Sequence, residues 1–248
     1  MQMFRYKITV EYDGSKFFGW QRQKNCISIQ ESIENAIEKF AHKEVTVFGA
    51  GRTDTGVHAF EQVAHFDLDH DYQLHKIKSA INHFVKPYIA VLDIETVSMD
   101  FHARFSARKK RYIYRIVNRN SHLAIMDNKA WLIKEKMDLD IIKKGAMILI
   151  GEHDFTSFRA ISCQAKNSTK TIDKIDIIEK EGGVIDFIFE GKSFLHNQVR
   201  IMAGALKNIG VKKWDCKKLQ EVLNVKDRKV GPETAPPYGL YLTKIWYN

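Results

Sequence analysis

The segment Gly51-Arg-Thr-Asp-Thr-Gly-Val-His-Ala59 sets one carboxylate, Asp54, in a polar loop bounded by glycines, with Arg52 two residues before it. Glycines let a backbone approach a ligand, and a nearby guanidinium keeps an acid ionised. The pattern therefore suits a carboxylate acting as nucleophile or base. Taken alone, it suits still better a turn in which Asp54 caps backbone amides. Other chemistries fit less well. Gly49-Ala-Gly51 would need a third glycine at position 54 to bind a dinucleotide, and Asp54 stands there. The chain has no GxxxxGK[ST] and no HExxH, and its ten histidines are scattered without metal-ligand spacing. Asp54-Thr55-Gly56 spells the D-T-G of aspartic proteases. Those enzymes share one proton between two carboxylates, so a neighbouring cation works against them. No second D-[ST]-G occurs, so such a site would have to assemble across a dimer.

The elements that must hold this loop follow from periodicity. Residues 5–12 alternate as a strand with Tyr6, Ile8, Val10 and Tyr12 on one side. Ser28-Ile-Gln-Glu31 has capping-box spacing ahead of a helix carrying Ile29, Ile33, Ala36, Ile37 and Phe40. Strands are expected over 45–48 and 62–68 around the glycine loop. A helix through Leu74, Ile77, Ile81 and Phe84 should stop near Pro87, and a strand should span 89–97. The second half repeats the order: strand 111–118, helix through Leu139, Ile142, Ala146 and Leu149, and strands 171–179 and 184–190 joined at Glu181-Gly182-Gly183. A helix through Val199, Met202, Leu206 and Ile209, a short helix near 214–223 and a strand over 240–247 complete it. The pattern predicts an α+β fold of two tandem split βαβ (ferredoxin-like) halves, residues 1–105 and 106–248, with mixed, largely antiparallel sheets flanking a central cleft.

Composition adds a partner class. The 248 residues are 44% hydrophobic and 28% charged, enough for a sizeable core. The net charge of +9 is uneven: residues 1–105 carry 12 Lys/Arg against 14 Asp/Glu, and residues 106–248 carry 27 against 16. That asymmetry favours a polyanion, although a solvated basic face would show the same numbers. The longest apolar run, 146–150, is far short of the roughly 20 residues a membrane span needs. Three separated cysteines and a start without an apolar leader fit a reduced, cytoplasmic protein.

Taken in order along the chain, these residues resemble the TruA family of tRNA pseudouridine synthases. The matching motifs are Tyr12-Asp13-Gly14 with Phe18-Gly19-Trp20-Gln21, then Gly51-Arg52-Thr53-Asp54-x-Gly56-Val57-His58. Phe101-His102-Ala103-Arg104 through Lys110-Arg111-Tyr112-Ile113-Tyr114 follows, then Gly151 to Phe158. Phe194-Leu-His-Asn-Gln-Val-Arg200 and Thr234-Ala-Pro-Pro-Tyr-Gly-Leu240 close the series. Thr55, Gln198 and Ala203 stand where Ala, Met and Val are commoner in the family.

The resemblance implies an isomerase that moves uracil from N1 to C5 attachment on one ribose in tRNA, at positions 38, 39 and 40 of the anticodon stem-loop. Asp54 would be the catalytic carboxylate and Arg200 its partner across the cleft. Tyr112 would stack on the flipped base while Tyr114 packs the core. Arg52, with Arg104, Arg108, Lys109, Lys110 and Arg111, would meet phosphates. Substrate and product are isomers, so neither metal nor organic cofactor is expected. The family works as a homodimer. Two other classes are separable from this one by assay: a catalytically silent RNA-binding protein and the dimeric protease would release no tritium from uridine C5.

Overall fold

The computed structural model describes residues 2–247, in two compact units: residues 2–108 with 242–247, and Lys109–Tyr241. The end of the last strand thus belongs with the first unit, although it lies at the far end of the second half in sequence.

In the first unit, strand β1 (Phe4–Tyr12) is central, with β3 (His58–Leu68) and β4 (Ile89–Val97) antiparallel on its two sides. Its inward face is the one its alternation predicts: Tyr6, Ile8, Val10 and Tyr12 are all buried. Helix α1 (Ile29–Ala41) begins where Ser28 Oγ accepts from Glu31 N at 3.2 Å, and it buries Ile29, Ile33, Ala36 and Ile37. Helix α2 (Leu74–Val85) buries Ile77, Ile81 and Val85 and leaves Phe84 exposed. The expected strand over 45–48 shrinks to β2 (Phe48–Gly49), paired with His65 and Ala64 of β3. The reason is local: the Val47 N–H donates to Glu34 Oε1 at 3.0 Å instead of to a strand.

The second unit repeats the arrangement. Strand β5 (Lys109–Asn118) pairs antiparallel with β9 (Val184–Gly191), which pairs with β8 (Thr169–Glu179). Two short strands went unforeseen: β6 (Trp131–Ile133), parallel to β5, and β7 (Gly151–Asp154), on β8. Helix α3 (Leu139–Leu149), capped by Asp138, packs against α4 (Gln198–Gly210), which is almost wholly buried. Helix α5 (Cys216–Val225) follows, and β10 (Leu240–Trp246) is the last described strand, passing into the first unit from Leu242. Cross-strand ion pairs sit on β5 and β9, where Arg115 meets Asp186 at 2.7 Å and 2.8 Å. Burial of Asp186 opposes its ionisation, but Arg115 and Lys180 win and hold its carboxyl below the ordinary range. The fold is α+β, with its strands pairing mostly antiparallel. Among the described residues no helix is long and apolar enough to cross a membrane.

Candidate active site

The Asp54 loop fills the gap between β2 and β3, and its backbone is tied down along its length. Ala50 N donates to Val63 O at 2.7 Å, and Gly51 O accepts from Gln62 Nε2 at 2.7 Å. Thr53 O accepts from Trp20 N at 3.0 Å, and Asp54 O from Val57 N at 3.1 Å. Gly56 closes this turn at φ 79°, a left-handed conformation that favours glycine. Asp54 is half-buried and Arg52 exposed.

The loop rests on the segment following β1. Gly14 lies so close to it that a Cβ there would stand 1.9 Å from Val57 O. Gly19, at φ 88°, would set a Cβ 2.5 Å from Thr53 O. Gly14 N donates to His58 Nδ1 at 3.1 Å, and Tyr12 hydroxyl meets Thr53 Oγ1 at 2.8 Å inside the core. Two motifs separated by some forty residues thus build one wall.

In the second unit, Arg200 lies in the first turn of α4. Its Nε donates to Ala235 O at 2.8 Å and one terminal nitrogen to Asn197 Oδ1 at 2.9 Å. Ala235 N returns a bond to Arg200 O at 3.2 Å. The Thr234–Leu240 motif therefore braces the arginine. Tyr112, on β5, is buried with Phe194 edge-on at 5.2 Å. Tyr114 is fully buried and donates to Pro236 O at 2.8 Å. The structure sets Asp54 and Arg52 on one loop of the first unit and Tyr112 and Arg200 on neighbouring elements of the second.

Lys109 and Arg111, among the cations expected at phosphates, meet one protein carboxylate. Lys109 Nζ and Arg111 Nε both reach Glu190, at 2.8 Å and 2.7 Å. Burial of Glu190 opposes its charge, yet these two donors hold its carboxyl below its ordinary value. Arg52, Arg104 and Arg108 are exposed. Thr53 and Gln62, which fasten the loop, give local pattern reading no signal beyond a polar side chain on a buried loop or strand. Among the described residues no group of three or more His, Cys, Asp or Glu side chains could hold a metal ion.

Two further histidines of the first unit accept backbone hydrogen bonds. His65 Nδ1 accepts from Ala103 N at 3.2 Å, and His102 Nδ1 from Arg104 N at 3.1 Å. Burial, aided by the charges of Arg5 and His102, holds the His65 pKa at about 4 against an ordinary 6.5. Above 6.5 His65 is neutral folded or unfolded; between 6.5 and about 4 only the unfolded chain takes up the proton. Stability should therefore be full above 6.5 and fall progressively toward pH 4. Urea midpoints at about pH 7.5 and about pH 5 should differ, and His65→Gln should flatten that difference. An unchanged slope in the variant would contradict this assignment.

Comparison with known proteins gives the same answer over nearly the whole chain. The family model for tRNA pseudouridine synthase matches residues 8–106 and 146–248, with Tyr112 lying between the two segments. The tRNA pseudouridine synthase A of Ehrlichia canis (strain Jake) is 48% identical over 245 residues, covering 98% of this chain and 100% of that protein. The protein of the same name from Brucella ovis is 46% identical over 248 residues, covering 99% and 98%. A solved Cbf5-Nop10-Gar1 complex aligns with 95% of this chain and 57% of that one, at 12% identity and a TM-score of 0.37. A carboxylate loop built by two ordered motifs and full-length relatives at nearly half identity lead to one conclusion: the chain belongs to the tRNA pseudouridine synthase family and is an isomerase.

Proposed function

We propose that this isomerase converts uridine to pseudouridine at positions 38, 39 and 40 of the tRNA anticodon stem-loop, with Asp54 as its catalytic carboxylate. The observation that carries the reading is the Asp54 loop: backbone bonds on both sides of the residue, and the turn closed at Gly56, fix where this half-buried acid stands. A carboxylate there can add to ribose C1′, add to base C6, or take a ribose proton, and each route begins with the ionised acid. Arg200 is the partner of that charge. Tyr112 supplies the aromatic face for a base removed from its stack, worth roughly 1–3 kcal/mol. Arg52 and the other exposed arginines meet phosphates. The working form is a cytoplasmic homodimer that uses neither metal nor organic cofactor.

The test is incubation with unmodified tRNA carrying tritium at uridine C5. Release of label that depends on uridines 38, 39 or 40 is expected; tRNA binding without release would leave only an RNA-binding protein.

The arginine makes a separate expectation. Its guanidinium donates from two nitrogens at once, to Ala235 O and Asn197 Oδ1, in a planar fork that a single ammonium cannot reproduce. Arg200→Lys should cut single-turnover rate by at least about tenfold. Near-normal turnover would reduce the requirement to charge alone.

A further inference from the structure

Beneath the Asp54 loop lie three polar side chains that no step of the reaction uses. Tyr12 and Gln62 are buried on β1 and β3, and Thr53 is buried in the loop itself. Tyr12 hydroxyl and Thr53 Oγ1 are 2.8 Å apart. Gln62 Nε2 donates to Gly51 O at 2.7 Å and, at the long limit of 3.5 Å, to the Tyr12 oxygen. That donation leaves the Tyr12 proton for Thr53. Burial pushes the Tyr12 phenol up, so it stays an O–H donor.

These bonds converge on one place. Gly51 and Thr53 are the residues fastened, three and one positions before Asp54. The side chains of Arg52 and Thr55, on the same loop, are exposed. A core needing only packing would be served as well by Phe and Leu at positions 12 and 62 and would avoid burying polar atoms. A loop that must present one carboxylate in one geometry gains from a hydroxyl-to-hydroxyl bond, because that bond has a preferred length and direction.

Resting on the reading of Asp54 above, we propose that Tyr12, Thr53 and Gln62 are positioning residues that fix where the Asp54 carboxylate meets the nucleotide. A misplacement of about 1 Å can cost about a hundredfold in rate without touching binding. Thr53→Val, which keeps shape and deletes the hydroxyl, and Tyr12→Phe, which deletes one oxygen, should each slow single turnover by about 10- to 100-fold. The tRNA Kd should stay within about twofold, because affinity comes from phosphate contacts elsewhere. Thr53→Ser, which restores the donor and acceptor, should recover the rate to within about threefold. The double variant should be no slower than the slower single, since both substitutions remove the same Tyr12–Thr53 bond.

Thermal melts on the same preparations separate loss of fold from loss of geometry, and Tyr12→Phe serves where Thr53→Val fails to fold. Wild-type rates in folded variants, a loss confined to Kd, or failure of Thr53→Ser to rescue would each overturn the proposal. Asp54→Asn measured alongside distinguishes the two claims. An inactive Asn variant with a fast Thr53→Val variant removes the positioning role alone, whereas an active Asn variant removes both.

Discussion

Replacing Gly14 by alanine is expected to lower stability by about 3 kcal/mol and turnover by at least about a hundredfold. The added Cβ would stand 1.9 Å from Val57 O, 2.5 Å from Val57 C and 3.1 Å from Val57 N. These are backbone atoms at the end of the Asp54 turn and cannot swing aside as a side chain would. Val57 N–H closes that turn on Asp54 O, and the next residue, His58, accepts from Gly14 N. Relief must therefore come from moving the loop or the start of β3. Gly182→Ala is the control, because its φ is 72° and a Cβ there meets nothing within 4 Å. It should cost only about 1 kcal/mol, from backbone strain, and leave turnover unchanged. Melts and single-turnover rates on both variants decide the matter. Equal stability of the two would contradict the close packing of the cradle.

Asp54→Asn should reduce turnover at least about 10,000-fold while folding and tRNA binding persist. Asn matches Asp in shape and tolerates the same turn conformations. The turn itself is made by backbone groups, Val57 N to Asp54 O, which the substitution does not alter. An amide is neither an adequate nucleophile nor a base at the pH where the enzyme works. A residue serving only as a turn former would lose almost nothing from this change. Binding should survive because it is distributed over many phosphate contacts, each salt-dependent.

Much of this architecture is legible where local rules act alone. Helix α3 occupies Leu139–Leu149, the span its apolar spacing predicts, because Asp138 caps it and the face through Ile142, Ala146 and Leu149 is unambiguous. Strands β6 and β7 were not legible. Three residues cannot show alternation, and Gly151-Glu-His-Asp154 becomes a strand only because β8 offers it a ladder. The strand expected over 45–48 shrank because a helix side chain, Glu34, captured an amide that the local pattern assigns to a sheet. The site divides in the same way. Asp54 stands out through its glycines, but Tyr12 alternates with Tyr6, Ile8 and Val10 and reads as core. Its partner Thr53 is 41 residues away. The pairing of Lys109 and Arg111 with Glu190 spans about eighty residues and is equally invisible to composition, which counts both as available cations.

The most direct test of the central claim measures pseudouridine formation under single-turnover conditions and tRNA affinity on the same folded preparations of the wild-type and Asp54→Asn proteins. Mass spectrometry excludes deamidation of the variant back to aspartate. The wild type should form pseudouridine, and the Asn variant should bind tRNA with about the same affinity and form essentially none. Robust product formation by the verified Asn variant would remove Asp54 as the catalytic carboxylate.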